Sequence, residues 1–513
     1  VVRIHLYNNR AEVMKDDDNS LLAIKTLLTF TETELRKIGS GEFKQKRKKI
    51  RLFNEENDRI VFLRGIVDLL PRDKCDIIDH TSEKEIPEVN VDAEKIKTIL
   101  QPQSGFDLRR DQIMAVRKIL KLRWGTLQMA TGSGKTEVLA SILKYLNSEI
   151  GYFPKTLLIE PTLKLVESTA KRFRDYKIPA SMYTEHRDID ESEIIISHPQ
   201  SLNNDMLDDP SLLDDIKIVM FDESHHTKAD TWKKLMYSLR NVEFSIGTSA
   251  SIVEDINVDL EFMDPDEVLA LGCTGPVVMN VPPSFYVDKG FLAESIVFRV
   301  DNKADEEVED EKDWTNEIYP KKIDSKIRND KVALISRFFA MNDRKVLILV
   351  DRKNHAEHIM SKLVLGDMAG VSRICYGSDV NKRYIEGVDD IIETDEDVLL
   401  KFKKGEVKIL IATSHLDEGV DVPNLDVVIL AGGGKNQRRL IQRMGRMLRK
   451  TKRGVYGYVV DFTDHKSDVL RKHSKLRRQF YKDKIGISEH RIYDHISVKE
   501  LVHKFKNIED IDD

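Results

Sequence analysis

The sequence predicts an α/β protein: two tandem parallel-sheet domains, residues 99–285 and 286–465, preceded by a small α+β domain over 1–98 and followed by a basic helical segment over 466–513. Three observations predict it. From about residue 99, short apolar runs alternate with helix-period segments, the signature of a parallel sheet. That alternation occurs twice, and only the first set contains a glycine loop ending in lysine. Finally, 513 residues are too many for one core, while 41% hydrophobic and 33% charged residues describe a globular protein with a heavily charged surface.

Residues 1–98 carry no catalytic motif. Val2, Ile4 and Leu6 alternate as in a strand, 21–35 reads as a helix, and 60–63 and 66–70 suggest further elements. Lys44, Lys46, Arg47, Lys48, Lys49 and Arg51 form a basic run that either meets a nucleic-acid backbone or is a solvated hairpin. A polar stretch over 80–94 links to the next domain.

In the first parallel-sheet set, strands are predicted at 125–130, 155–160, 193–197, 216–222 and 243–248. Each ends at a polar cluster, and in such sheets the carboxyl ends of the strands carry the ligand site. The first strand runs into Thr131-Gly132-Ser133-Gly134-Lys135-Thr136, and after it Val138, Leu139, Ile142, Leu143 and Leu146 repeat at helical spacing. Strand, glycine loop and helix in that order make a phosphate cradle: glycines let backbone N–H groups turn to one anion, Lys135 reaches the outer phosphates and Thr136 can ligate Mg²⁺. Met129 stands where the general phosphate-loop pattern has glycine. Asp222-Glu223-Ser224-His225 follows the apolar strand Ile218-Val219-Met220-Phe221. There Asp222 can hold the Mg²⁺ shell while Glu223 deprotonates the water attacking a γ-phosphate.

The second set has strands at 297–300, 345–350, 407–412, 427–430 and 455–460, with helices at 332–340 and 354–363. It has no glycine loop with lysine, which suggests a nucleotide clamped between a binding and a sensing domain. The acid-rich stretches 301–313 and 389–397 read as solvated loops that disfavour nucleic acid. Gln442, Arg446 and Arg449 recur at i, i+4 and i+7 and share one helix face, suited to a γ-phosphate as an arginine finger would be. Residues 466–484 are again basic, with Phe480 and Tyr481 nearby: a helix along a nucleic-acid strand, or an exposed helix.

Net charge of −6 gives no global nucleic-acid signal. Cys75, Cys273 and Cys375 are far apart and odd in number, without CxxC spacing, which argues against a disulfide framework or a zinc site and fits a reducing cytoplasm. Without a run of about eighteen apolar residues, no membrane helix is expected.

T-G-S-G-K-T, D-E-S-H and Q-R-M-G-R-M-L-R, in this order, resemble motifs I, II and VI of superfamily 2 helicases, whose motor is two RecA-like domains. The resemblance covers residues 99–465 and implies the cofactors ATP and Mg²⁺. Arg109 and Gln112 fall in a stretch similar to the L-R-x-x-Q element that reads adenine. Pro161 and Thr162 are similar to motif Ia, Ser197, Gln200 and Ser201 to motif Ib, and all five are implied contacts to the tracking strand. Thr248-Ser249-Ala250 resembles motif III, which couples hydrolysis to domain movement, and Arg352 falls where motif IV would lie. The stretch 411–423 resembles motif V, implying that Thr413 touches a strand phosphate and that Gly419 and Asp421 face the nucleotide. Within the superfamily, D-E-x-H and the compact motor look like the branch of phage UvsW, RecG and XPB-type DNA motors. This implies single-stranded or branched DNA as partner, 3′ to 5′ movement, a role in replication, recombination or repair, and host cytoplasm for a phage-encoded chain. An RNA helicase and an ATP-switched clamp or duplex translocase that separates no strands stand as the alternatives.

Overall fold

The computed structural model describes residues 2–15, 18–38, 42–183, 192–202, 213–226, 230–253, 258–289, 294–302, 311, 313–375, 382–385, 388–413, 425–433, 456–465, 467–483 and 485–512. They form two compact units, Val1–Val281 and Pro282–Asp513.

The first unit opens with β1 (Val2–Leu6), β2 (Arg10–Met14), β3 (Thr29–Ile38), β4 (Glu42–Arg51), β5 (Phe53–Glu55), β6 (Arg59–Leu63) and β7 (Cys75–Asp79). Five of these make a mixed sheet, β5-β6-β2-β1-β7, and β3 and β4 pair as a separate hairpin. The expected helix over 21–35 is a helix only through Asp18–Leu27 and then becomes β3. Thr29, Thr31 and Thr33 alternate there, and β-branched residues at period 2 favour a pleated strand over a helix.

Next come β8 (Trp124–Met129), β9 (Thr156–Ile159), β10 (Ala180–Tyr183), β11 (Ile194–Ser197), β12 (Ile218–Phe221), β13 (Phe244–Ser249) and β14 (Val277–Val281). They form a seven-stranded sheet in the order β10-β11-β9-β12-β13-β8-β14, all pairs parallel. The five expected strands are its centre. Short β10 and β14 on its edges were not foreseen, since only central strands are covered on both faces and read as continuous apolar runs.

The N-terminal sheet is fused to this one by a continuous core in which Ile60, Phe62, Leu63 and Ile66 join Trp124, Val268, Leu269 and Cys273. The polar 80–94 segment is fastened too. Glu243 accepts from the Glu85 and Ile86 amides while Arg123 pairs with Glu243 at 2.9 Å and donates to the Ile86 carbonyl. Gly65 permits the closest approach, because a Cβ there would stand 2.3 Å from the Leu271 carbonyl oxygen. Gly65→Val is therefore expected to cost about 1–3 kcal/mol by overpacking and to speed proteolysis at 80–94; unchanged cleavage would show that the sheet is not seated there.

The second unit contains β15 (Glu294–Asn302), β16 (Val346–Leu349), β17 (Ser372–Cys375), the hairpin β18 (Lys382–Ile385) and β19 (Val388–Ile392), β20 (Ile409–Ala412), β21 (Val427–Leu430), β22 (Tyr456–Asp464) and β23 (Ile492–Ile496). Its seven-stranded parallel sheet runs β17-β20-β16-β21-β22-β15-β23, with helices Lys326–Met341 and Lys353–Leu365 where the sequence places them. The basic C-terminal segment is a helix, Asp468–Asp483, but it is not a free basic rod. Phe480 and Tyr481 are in the core. Buried Arg477 clasps Asp461 at 3.0 and 3.1 Å, and Tyr481 donates to the same carboxylate at 2.9 Å. Burial opposes the charge on Asp461, but Arg477 and Arg299 outweigh it and hold the carboxyl below its usual range. The two rings are thus spent on packing and are not a stacking platform for bases; Arg471, Lys472, Lys475 and Lys482 remain exposed.

Candidate nucleotide and nucleic-acid site

Register brings the first unit's polar clusters together. Phe221 pairs with both Ile159 and Gly247, so the residues that follow, Asp222, Glu160 and Thr248, emerge side by side at the carboxyl edge. The next strand over, β8, delivers the glycine loop to that edge.

Gly132 and Gly134 take φ of 81° and 79°, the left-handed region that admits glycine without strain. A Cβ on Gly134 would also lie 2.4 Å from the Gln112 amide nitrogen. The helix Lys135–Ile150 begins at once, so its N-terminal N–H groups and positive dipole end face the loop. Lys135 Nζ lies 2.6 Å from Glu223 Oε1, both within the protein edge. Burial opposes the charge on Lys135, but Glu223 and Asp222 outweigh it and raise its pKa. Asp222 is raised by burial, against the pull of Lys135. Its Oδ1 accepts from the Thr248 hydroxyl and, at 2.9 Å, from the Glu223 amide. Glu223 has φ of 46°, a strain of roughly 1–3 kcal/mol for a non-glycine residue of the kind found at functional sites. His225 joins the motif III stretch: its Nδ1 is 3.0 Å from Ser249 Oγ and 3.4 Å from Glu223 Oε2.

These residues fit a nucleoside triphosphate with a divalent ion. Thr131 Oγ1 and Ser133 Oγ are buried hydroxyls without a protein hydrogen bond among the described residues, set beside a lysine, a helix N-terminus and two acids. Thr136, on the first turn of that helix, and the carboxylate of Asp222 could hold the ion. Arg109 and Gln112 brace the loop from behind. Gln112 accepts from the Arg109 amide at 2.9 Å and donates to the Ser133 carbonyl at 3.1 Å, and the Arg109 guanidinium donates to that same carbonyl.

One residue of this edge went unnoticed in the sequence: Glu160, fully buried, accepting from Thr169 Oγ1 at 2.7 Å. Burial and then the neighbouring Asp222 charge push its pKa well above the ordinary value. Thr169 lies on helix Leu163–Asp175, which begins just after Thr162, so Glu160 ties the acidic site to the motif Ia helix. An acid closing an apolar strand just before Pro161 is the signal that could have found it.

The expected strand contacts divide. Thr162 caps that helix by accepting from the Leu165 amide at 3.3 Å. His198 links motifs Ia and Ib: its Nδ1 accepts from the Gln200 amide, leaving Nε2–H to donate to the Pro161 carbonyl at 2.9 Å. Gln200 is exposed, and Ser201 is buried. Ser197 is fully buried and its hydroxyl donates to the Tyr183 carbonyl at 3.0 Å, so its side chain fastens the strand end.

In the second unit Thr413 is buried just past β20. Arg352 lies 4.1 Å over the Tyr319 ring. Tyr319 in turn bonds His355, which reaches Asn329 at 2.9 Å; burial lowers His355 to about 3, so it stays neutral. Gly419, Asp421, Gln442, Arg446 and Arg449 lie outside the described residues. On the β3–β4 hairpin, Lys46 and Lys48 stand opposite Glu34 and Glu32, whereas Arg47, Lys49 and Arg51 stand opposite Thr33, Thr31 and Thr29. Alternation therefore places positions 47, 49 and 51 on one side of the ribbon and positions 44, 46 and 48, with Lys44 opposite Arg36, on the other.

Comparison with known proteins agrees with this architecture. The family described as type III restriction enzyme, res subunit, matches residues 105–253, and the helicase conserved C-terminal domain matches 330–451. The putative ATP-dependent helicase IRC3 of Saccharomyces cerevisiae is 23% identical over 386 residues, covering 72% of this chain and 53% of that protein, so the chain spans about half its length. The DNA 3′-5′ translocase XPB2 of Sulfurisphaera tokodaii is 24% identical over 401 residues, covering 73% of this chain and 86% of that one. The solved structure of S. cerevisiae Dbp5 bound to RNA and ADP BeF3 shares the fold with a TM-score of 0.54 at 16% identity, covering 81% of this chain and 96% of that chain. With its phosphate loop, its Asp222-Glu223 pair and a helicase-type family match on each of its two parallel sheets, the chain belongs to the superfamily 2 helicases.

Proposed function

We propose that the protein is an ATP-dependent DNA helicase or translocase that moves 3′ to 5′ and remodels branched DNA. One observation carries the reading: Lys135, Asp222 and Glu223 share a single sheet edge with the loops that hold Thr162 and Gln200, so phosphate chemistry and strand contact sit on one rigid framework. In it Lys135 and the loop amides bind the triphosphate, Glu223 takes the proton of the attacking water, and Thr136 and Asp222 hold Mg²⁺, which supplies charge neutralisation at the phosphates. The motif resemblance assigns Gln442, Arg446 and Arg449 the role of γ-phosphate contacts, Gly419 and Asp421 that of nucleotide contacts, and Thr413 and Arg352 that of strand contacts. The likeness to a DNA 3′-5′ translocase and the basic run along β4 support DNA as the track. Contacts go to phosphates, so sequence preference is weak and salt dependence steep.

The test is ATPase stimulation by matched DNA and RNA strands, with displacement from 3′-tailed, 5′-tailed, forked and four-way duplexes. DNA-selective stimulation with 3′-tail displacement supports the proposal. Equal or greater stimulation by RNA moves the chain to the RNA motors, and ATP use without displacement makes it a clamp or duplex translocase. Because the N-terminal sheet shares the motor's core, deleting 1–98 would expose that core. Substituting Arg47, Lys49 and Arg51 together with alanine is the cleaner probe, expected to weaken DNA binding and flatten its salt slope by up to about 0.9 per lost phosphate contact.

A further inference from the structure

Away from the nucleotide edge, three strand ends of the second unit converge on one point. Asp301 stands near the end of β15, His465 follows β22 directly and His495 sits in β23, on three adjacent parallel strands. His465 Nε2 is 2.8 Å and His495 Nδ1 3.1 Å from the same oxygen, Asp301 Oδ1. The three ligand atoms all lie within 4.8 Å of one another, and the two rings are 5.4 Å apart.

Regular pairing would not produce this. Phe298 pairs with Tyr493 and Val300 with Ile496, so Asp494 and His495 together oppose the single residue Arg299. The bulge sends the two side chains apart: Asp494 goes to Arg299 and Arg478, while His495, at φ of 55°, swings to Asp301. Bulges re-aim side chains in this way, and a histidine in the left-handed region is an uncommon conformation held by its surroundings.

We propose that Asp301, His465 and His495 form a site for a divalent transition-metal ion, with Zn²⁺ the best match. Two imidazole nitrogens and one carboxylate oxygen suit Zn²⁺ or Co²⁺ better than Mg²⁺ or Ca²⁺, which prefer oxygen alone. Ligand atoms bonded at about 2.0–2.1 Å in a tetrahedron stand roughly 3.3 Å apart, and the two nitrogen–oxygen separations already approach that. To ligate the ion, each of these ring nitrogens must present its lone pair, so any proton it carries passes to the ring's other nitrogen or to solvent. The fourth position is left to water. The ion would clasp β23 and the helix Val498–Asp512 behind it to β15 and β22.

The full chain, stripped with chelator and free of nucleotide, is titrated with Zn²⁺ by calorimetry and with Co²⁺ by visible absorption. One ion per chain is expected, with a ligand-field band and a raised thermal midpoint. Asp301→Asn and His465→Gln should each weaken binding at least tenfold. His495→Gly, which suits the backbone φ and so keeps the fold, should lose the ion and its thermal shift together. Absence of stoichiometric binding by the wild-type chain, or unchanged affinity in the three variants, overturns the proposal and leaves a hydrogen-bonded cluster.

Discussion

Glu223→Gln is expected to lower nucleic-acid-stimulated ATP turnover by about 10²–10⁴-fold, the usual contribution of a positioned general base, while nucleotide affinity changes little. The amide keeps an oxygen where Glu223 Oε1 now meets Lys135 at 2.6 Å, so the loop stays in place. What it removes is the proton acceptor. Single-turnover hydrolysis, measured beside binding of a fluorescent ADP, separates the two effects; a variant with wild-type turnover would show that the base lies elsewhere.

Lys135→Ala should be as damaging for a different reason. Losing its charge-assisted contacts is expected to cost on the order of 10²–10³-fold in turnover, together with most triphosphate affinity. It also strips the cation that sits beside Glu160, Asp222 and Glu223, and breaking a buried pair typically costs about 3–5 kcal/mol. The nucleotide-free variant should therefore be less stable, and increasingly so at higher pH. Asp222 and Glu160 titrate above their ordinary values in the folded chain. Groups raised in this way leave stability intact in acid and subtract from it as pH climbs from about 4, where the unfolded carboxyls ionise, through their raised folded values. Without Lys135 that decline should be steeper than in the wild type. Parallel pH slopes in thermal melts of the two proteins would mean that the lysine does not hold the acids.

Both expectations rest on residues that the sequence names unaided, and the reason is local. A phosphate loop needs closely spaced glycines, a lysine and a helix, and Asp222-Glu223 needs only a strand end, so 131–136 and 222–223 carry their geometry within a few residues. Central strands were legible for a similar reason, since burial on both faces leaves an unbroken apolar run such as Ile218-Val219-Met220-Phe221.

What escaped was set by contacts between distant segments. The basic C-terminal helix reads as exposed until Asp461, some sixteen residues upstream in a buried strand, is seen to neutralise Arg477. The Ser197 hydroxyl is seen to fasten its strand end only once it meets the Tyr183 carbonyl. Glu160 is one acid among many until register sets it beside Asp222 and Thr169. The sequence by itself thus determined the two-sheet architecture and the phosphate chemistry, because periodicity and short motifs are properties of neighbouring residues. Only the tertiary structure decided which charges are buried and paired, that the N-terminal sheet shares the motor's core, and that a bulge brings His495 over Asp301, because each depends on which strand lies beside which and in what register.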